Sequence, residues 1–480
     1  MSVTSEHPEY KKYSETWQRV RAACDGSRAI KAGKTKYLPK PTTESANTSQ
    51  QSSNDHRYKQ YIERAVYANF CGRTLTGLKG AAFRKDPDLV LPAGLEYLED
   101  NATGDGTGLV QLAKDELVEL LSLGRDGFLV DYPVVEAGSS AEQTKGIEAR
   151  ILPYTAENVI NWRVETIRGK AQLVLVVLRE SVNVSDDEFE YVEKDQYRVL
   201  RLVDGVYNQQ IYQDDVPVSD LIVVRQASGA SFDFIPFCFA GSVNNDFTID
   251  QAPMEAMAEV NIAHYRNSAD IEENSFIHGQ LTIGVTSSLS PEQWKEANPD
   301  GLIVGARAGH FLGDTGGFHS VQAEASSLTK DLMTSKEQQL VMLGAQLITD
   351  HNSNQTAKAA QIQHASEHSV LGDIVGNLSA AIEKCIEWCG LFMGVSGDAE
   401  FTINTEFFED SSDAQMIMAS IQLYDREIIG LTDIRGYVRK SGITKRSDEE
   451  IDEDSPDLDP DNMPEMPTRM RFNSDLGVVS

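Results

Sequence analysis

The spacing of hydrophobic positions changes character several times along this 480-residue chain. From Tyr10 to Ala23, Trp17, Val20 and Ala23 recur at helical intervals, and Gly26 ends the run. The polar stretch TTESANTSQQSSND, Thr42 to Asp55, predicts a linker or exposed loop. Helical spacing returns from Arg57 to Phe83 through Tyr61, Ala65, Ala68, Leu75 and Leu78, and breaks at Asp86-Pro87. Leu109 to Leu123 predicts an amphipathic helix stopped by Gly124, and GFLVDYP then predicts a buried strand ending at Pro133.

Between Ile151 and Phe239 the period becomes two. Strands are expected at Val159–Val164, Gln172–Arg179, Tyr197–Val203, Val206–Gln213, Leu221–Arg225 and Ile235–Ala240. Together they predict an antiparallel β-rich module. Helical patterning resumes from Gln251 to Ser275. A strand (Leu281–Val285), a short helix with Ser290 as N-cap and Pro291 at N1, and a Gly-rich strand and turn (Gly301–Gly317) follow. Ser326–Ile348 predicts a helix of about 35 Å. After the polar loop TDHNSNQ, Thr356 to Met393 reads as mostly helix. FTINTEF alternates as a strand, and Asp413–Ile429 and Thr432–Lys440 predict two closing helices. The expected class is α+β, with helices on either side of a mostly antiparallel sheet.

The formal net charge of −31 argues against a protein that grips phosphate backbones, which needs clustered Lys and Arg. It leaves room for one that lets DNA slide past an anionic wall. The charge is uneven. The first forty residues carry nine cations, from Lys11 to Lys40, against Glu6, Glu9, Glu15 and Asp25. The segment SDEEIDEDSPDLDPDNMPEMP is acidic and broken by four prolines, which predicts a disordered or extended tail. No run of 18 apolar residues occurs, so no membrane span is expected. The opening residues lack an apolar h-region, so no secretory signal is expected either. Five scattered cysteines (Cys24, Cys71, Cys238, Cys385, Cys389) read as reduced thiols of a cytoplasmic protein.

A set of segments in fixed order resembles the portal proteins of tailed bacteriophages. Within them it resembles a portal-like group of podovirus and prophage proteins carried only as a domain of unknown function. The segments are HPEYKKYSETWQRVRAACDGSRAIKAGKTKYLPKP, RAVYANFCGRTLTGLKGAAFRKDP, LLSLGRDGFLVDYP, ENVINWR, DQYRVLRL, IPFCF, EVNIAHYRNSADIEEN, LVMLGAQLI and the run from TAKAAQ to EHSVLG. The tail after Arg446 has no counterpart.

The resemblance implies a portal fold with wing, stem, clip and crown, closed into a ring around a channel. Residues 1–250 would form the wing, 251–275 the first stem helix and 276–325 the clip. Residues 326–348 would form the second stem helix, 349–355 the tunnel loop, and 356–410 a long wing helix and strand. Residues 411–445 would be the crown, followed by a tail at 446–480. Asp350, His351, Asn352, Ser353, Asn354 and Gln355 would then face the DNA. Glu259, Arg266, Asp270, Glu272, Glu273, Lys330 and Lys336 become candidates for the stem lumen. Gln280, Gln293, Trp294, Lys295, Arg307 and His310 become candidates for a docking surface on the clip. Ala256, Ala258, Ala263 and Ala269, interspersed with acids, suit lateral packing of the first stem helix beside an acidic lumen.

Two motifs have a catalytic look. His364-Ala-Ser-Glu367-His368 fits the H-x-x-E-H zinc-peptidase pattern, with both histidines on one helix face. Its third ligand would have to be Glu383 or Glu387, about 22 Å or more away along a straight helix. Asp314-Thr315-Gly316 resembles an aspartic-protease turn, but occurs once and between glycines, which suits a hairpin turn. Cys385 and Cys389 share a helix face and read as core residues. No G-x-x-x-x-G-K-[ST] is present, which excludes a P-loop packaging motor.

The expectation is therefore a non-enzymatic portal subunit without cofactor or metal, in rings of twelve by the resemblance. It would sit at one vertex of the virion and be in the host cytoplasm during assembly. It would conduct double-stranded DNA in packaging and ejection. Its partners would be copies of itself, the terminase large subunit, head–tail adaptor or connector proteins, and the major capsid and scaffolding proteins, with no membrane. The alternatives are a zinc-dependent hydrolase using His364, Glu367 and His368, and a ring or scaffold protein that never meets DNA.

Overall fold

A computed structural model describes residues 2–42, 47–133, 147–185, 187–279, 282–301, 310–321, 328–348 and 369–407, with scattered positions from 423 to 451. The chain divides into two units, Met1–Phe408 and Glu409–Ser480. The class is α+β.

The first unit opens with α1 (Pro8–Asp25), capped by His7, whose Nδ1 accepts from the Glu9 N–H, and closed by Gly26 at φ 91°. Its apolar stripe of Tyr10, Trp17, Val20 and Ala23 is buried. A short α2 (Ser27–Ala32) follows. The polar stretch expected to be a loop is half helix: α3 runs Thr48–Arg64. Asn47 starts it by accepting from the Ser49 and Gln50 amides, and Asn54, Tyr58 and Tyr61 face inward. Polar composition hid a helix because serine and glutamine are tolerated on an exposed face. The helical pattern of Arg57 to Phe83 is in turn two helices. Residues 65–69 lie outside regular structure, and Asn69 caps α4 (Phe70–Ala82) through the Gly72 N–H.

Helix α5 (Leu109–Leu123) has the expected bounds. Gly124 closes it at φ 79°, where a Cβ would also come 2.7 Å from the Gln251 carbonyl. The strand after it, β2 (Arg125–Asp131), is buried throughout and central in a three-stranded sheet. Its neighbours are β3 (Arg150–Thr155) and β10 (Phe237–Gly241). The last strand expected in the β-rich module thus leaves that module and pairs with β2.

The strands that follow β3 form an antiparallel meander. They are β4 (Val159–Ile167), β5 (Lys170–Asn183), β6 (Glu193–Val203), β7 (Val206–Gln213) and β8 (Val216–Pro217), with β9 (Ile222–Val223) also on β7. A long helix, α9 (Val370–Met393), covers the three-stranded sheet with Ile374, Val375, Leu378, Ile382, Cys385 and Cys389 buried. Cys238 on β10 lies 3.9 Å from Cys385, sulfur to sulfur. Strand β1 (Asp88–Val90) pairs with β13 (Glu400–Thr402), which tethers the end of the unit to its start.

Beneath α5 lies a carboxyl pair. Asp126 on β2 is fully buried and Glu116 on α5 nearly so, and neither Asp126 oxygen nor Glu116 Oε2 has a hydrogen-bond partner among the described residues. Two ionised carboxylates in one dry site would repel each other and lack solvation, so the pair favours the protonated form. Burial raises both above the usual carboxylate range, Glu116 to about 8, with Glu119 and Asp115 adding to its shift.

In the second unit, α10 (Leu431–Lys440) is capped by Asp433, which accepts from the Gly430 N–H, and Arg439 pairs with Asp448 at 2.6 Å. Most of the expected helix Asp413–Ile429 and of the acidic tail falls outside the described residues.

Candidate functional site

The site of interest is a pair of helices joined by a small insert. The first, α6, runs Glu255–Gly279, four residues later than expected at each end. Pro253 accounts for the late start, because a proline disfavours helical backbone at the residue before it, here Ala252. Met257, Ala258, Ile262, Tyr265 and Ala269 turn into the subunit. Asn261, with no exposed surface, is the polar hub of this face. Its Oδ1 accepts from the Tyr67 hydroxyl (3.0 Å) and from the Phe70 and Cys71 amides (3.1 and 3.2 Å). Its Nδ2 donates to the Ala68 carbonyl at 2.8 Å. One side chain thereby pins α6 to the link before α4.

The insert begins with β11 (Thr282–Thr286), paired antiparallel with β12 (Gly317–Val321) so that Val285 faces Phe318. Between them sits α7 (Pro291–Ala297), whose Ser290 and Gln293 form a reciprocal capping box. Asn298 after it donates to the Trp294 and Phe311 carbonyls and receives His310 Nδ1 at 3.3 Å. Of the docking candidates, Gln293 and Lys295 are exposed, while Trp294 and His310 are half-buried against this small core. Gln280 and Arg307 lie outside the described residues. Asp314 and Thr315 form the turn entering β12.

The second helix, α8 (Leu328–Gln346), packs on α6. Of its residues only Leu340 is buried, while Leu328, Leu332, Val341 and Met342 are exposed. Leu328, Leu332 and Met342, at i, i+4 and i+14, share one face. His264, buried on α6, meets Glu337 on α8 at 3.3 Å and packs edge-on against Phe70. Lys336 donates to the Ala263 carbonyl at 3.2 Å. Burial, with Arg266 nearby, lowers the pKa of Lys336.

Several lumen candidates are already engaged within the subunit. Glu259 lies 3.2 Å from Arg19, and Arg266 donates to the Tyr37 carbonyl at 2.8 Å. Asp270 accepts from the Tyr61 hydroxyl at 2.6 Å. Glu273 departs furthest from an open, channel-facing charge. It is buried and paired with both Arg57 and Arg64 on α3. Glu272 is half-buried and Lys330 exposed. The acidic face read from the sequence is therefore partly neutralised by cations of the N-terminal helices. Periodicity could not have found this, since the partners lie about two hundred residues away. The same distance hid Asn261 and His264.

The tunnel-loop residues Asp350, His351, Asn352, Ser353, Asn354 and Gln355, and the motif His364, Glu367 and His368, lie outside the described residues. Among the described residues no cluster of three His, Cys, Asp or Glu is arranged to hold a metal. No helix among them is long and apolar enough to cross a membrane.

Residues 253–393, from just before α6 to the end of α9, match a family described as a domain of unknown function, DUF4055. No curated protein matches the chain. Among solved structures, the chain is similar to one in the neck of an empty GTA particle computed with C6 symmetry. The identity is 15% and the TM-score 0.39, covering 75% of this chain and 86% of that one.

Proposed function

We propose that this protein is a portal-type subunit of a tailed-phage particle. In this reading copies of the chain close into a ring, twelve by the resemblance, whose channel passes double-stranded DNA and whose insert docks the packaging motor and then the head–tail connector. The role is mechanical: the chain positions surfaces and performs no chemistry.

The observation that carries this reading is α8. A helix of 19 residues that buries one of them, and leaves Leu328, Leu332 and Met342 together in water, is unfinished as a monomer surface. It stands where the portal resemblance places the second stem helix, a position with neighbours on its flanks. Further support comes from element order. Helix, hairpin-bearing insert, helix and long helix follow one another as the resemblance implies, and the family match spans this same segment. The net charge of −31 suits a conduit wall that repels DNA rather than binding it.

Replacing Leu332 and Met342 with Glu tests the reading. Both are exposed, so the subunit should fold and melt as before. Self-assembly should be lost. Assembly unchanged in the double variant would remove α8 from the contact and with it the main support for the proposal.

A further inference from the structure

The β5–β6 hairpin extends past the sheet that supports it. Strand β4 accompanies β5 only as far as Leu178, and β7 accompanies β6 only from Tyr197. Residues 180–183 and 193–196 are thus a two-stranded ribbon, paired from Glu180↔Gln196 to Asn183↔Glu193. The Val184 N–H continues the ladder to the Val192 carbonyl at 2.9 Å. Side chains of the described tip residues bond its own backbone. Asn183 Oδ1 accepts from the Ser185 and Val192 amides, and Asp187 Oδ1 accepts from the Phe189 N–H at 2.8 Å. This local bonding holds Phe189 91% exposed and Tyr191 68% exposed, with Asp187, Glu188 and Glu190 around them.

Two large rings exposed side by side on one tip mark a contact surface, because aromatic side chains dominate the energetics of protein interfaces. The surrounding carboxylates repel DNA and anionic lipid, and they attract a cationic protein surface. Arginine and lysine also cover aromatic faces favourably. This chain offers one such surface. Residues 26–41 carry Arg28, Lys31, Lys34, Lys36 and Lys40 and no acid, in a molecule of net charge −31. Arg28, Lys34 and Lys36 are exposed. Lys31 is tied to the Glu63 carbonyl, which holds the segment on α3. Lys40 pairs with Asp55 and Lys36 donates to Gln18 at 3.0 Å, but Arg28, Lys34, Lys36 and the tip all stay exposed, so the tip and these cations do not cover each other within one subunit.

We propose that the β5–β6 tip docks, through Phe189 and Tyr191, on the Arg28–Lys36 surface of a second copy of this chain. Two different patches meet, so the contact is heterologous and propagates from copy to copy. It does not require the α8 contact, and it holds whether the product is a ring or an open chain.

The test uses the full-length protein with p-benzoylphenylalanine in place of Phe189. Light and 15N-labelled copies are mixed, irradiated, digested and sequenced by mass spectrometry. The expected product joins position 189 of one isotopic form to a peptide within residues 26–40 of the other. Its yield should fall at least fivefold in 0.5 M salt and in the triple variant Arg28→Glu, Lys34→Glu, Lys36→Glu. Wild-type melting in Phe189→Ala with Tyr191→Ala would confirm that the tip is dispensable for folding. Absence of inter-copy cross-links, or cross-links to any other segment, would overturn the proposal. Rings without this cross-link would sink the tip contact and leave the portal reading standing. The cross-link without rings would do the reverse.

Discussion

His264 and Glu337 meet at 3.3 Å across the seam between α6 and α8, one buried and the other 47% exposed. That asymmetry predicts unequal costs. His264→Ala opens a cavity against Phe70 and should lower unfolding stability by about 2–3 kcal/mol. Glu337→Ala removes a half-solvated partner and should cost under about 1 kcal/mol. Urea denaturation of the two variants separates them, and equal costs would mean that the polar contact rather than the packing holds the seam.

Asn261 satisfies two backbone amides, a hydroxyl and a carbonyl at once. Truncation to alanine strands the Cys71 amide in a dry interior and leaves the Tyr67 hydroxyl, Phe70 amide and Ala68 carbonyl one partner each, and should destabilise the first unit by about 1–3 kcal/mol. Thermal unfolding reads this directly. A loss below about 0.5 kcal/mol would show that water replaces the side chain, contrary to its full burial.

The Glu116–Asp126 pair predicts a pH dependence. Glu116 titrates near 8 in the folded chain because it is buried beside other acids, and near its ordinary value when unfolded. As pH rises between those values the unfolded chain releases a proton that the folded chain keeps, so stability falls across that window. Glu116→Gln should flatten this slope and raise the melting temperature at pH 8 more than at pH 5. An identical pH profile in the variant would show that the pair holds no proton.

Charge reversal on α6 should divide by partner. Glu272→Lys leaves the known contacts intact and is the clean probe of the proposed electrostatic effect on DNA passage. Glu273→Lys sets three cations together where Arg57 and Arg64 now share a carboxylate, and should impair folding before any channel is formed. Soluble yield and melting temperature distinguish the two. A stable Glu273→Lys protein would contradict the buried pairing.

How far the sequence could be read depended on whether the signal was local. Leu109–Leu123 was legible to the residue because a stripe of leucines ends at a glycine that must take positive φ. The capped helix at Ser290 was equally local. The transfer of Phe237–Gly241 from the β-rich meander to the β2 sheet was not, because alternation marks a strand without naming its partner. Helix α3 was hidden by polar composition, and its only start signal, Asn47, is common in loops as well. The run of charged residues along α6 is plain in the sequence. Which of them remain open is decided by Arg19, Tyr37, Arg57, Tyr61 and Arg64, residues that spacing along α6 could never reveal.

The most direct measurement of the central claim is the native mass of the purified chain by light scattering, paired with negative-stain electron microscopy of the same sample. A portal-type subunit should give a particle many times its own 53.0 kDa, seen end-on as a ring with a central hole. A single 53.0 kDa species at every concentration tested, or a compact oligomer with no hole, would contradict it.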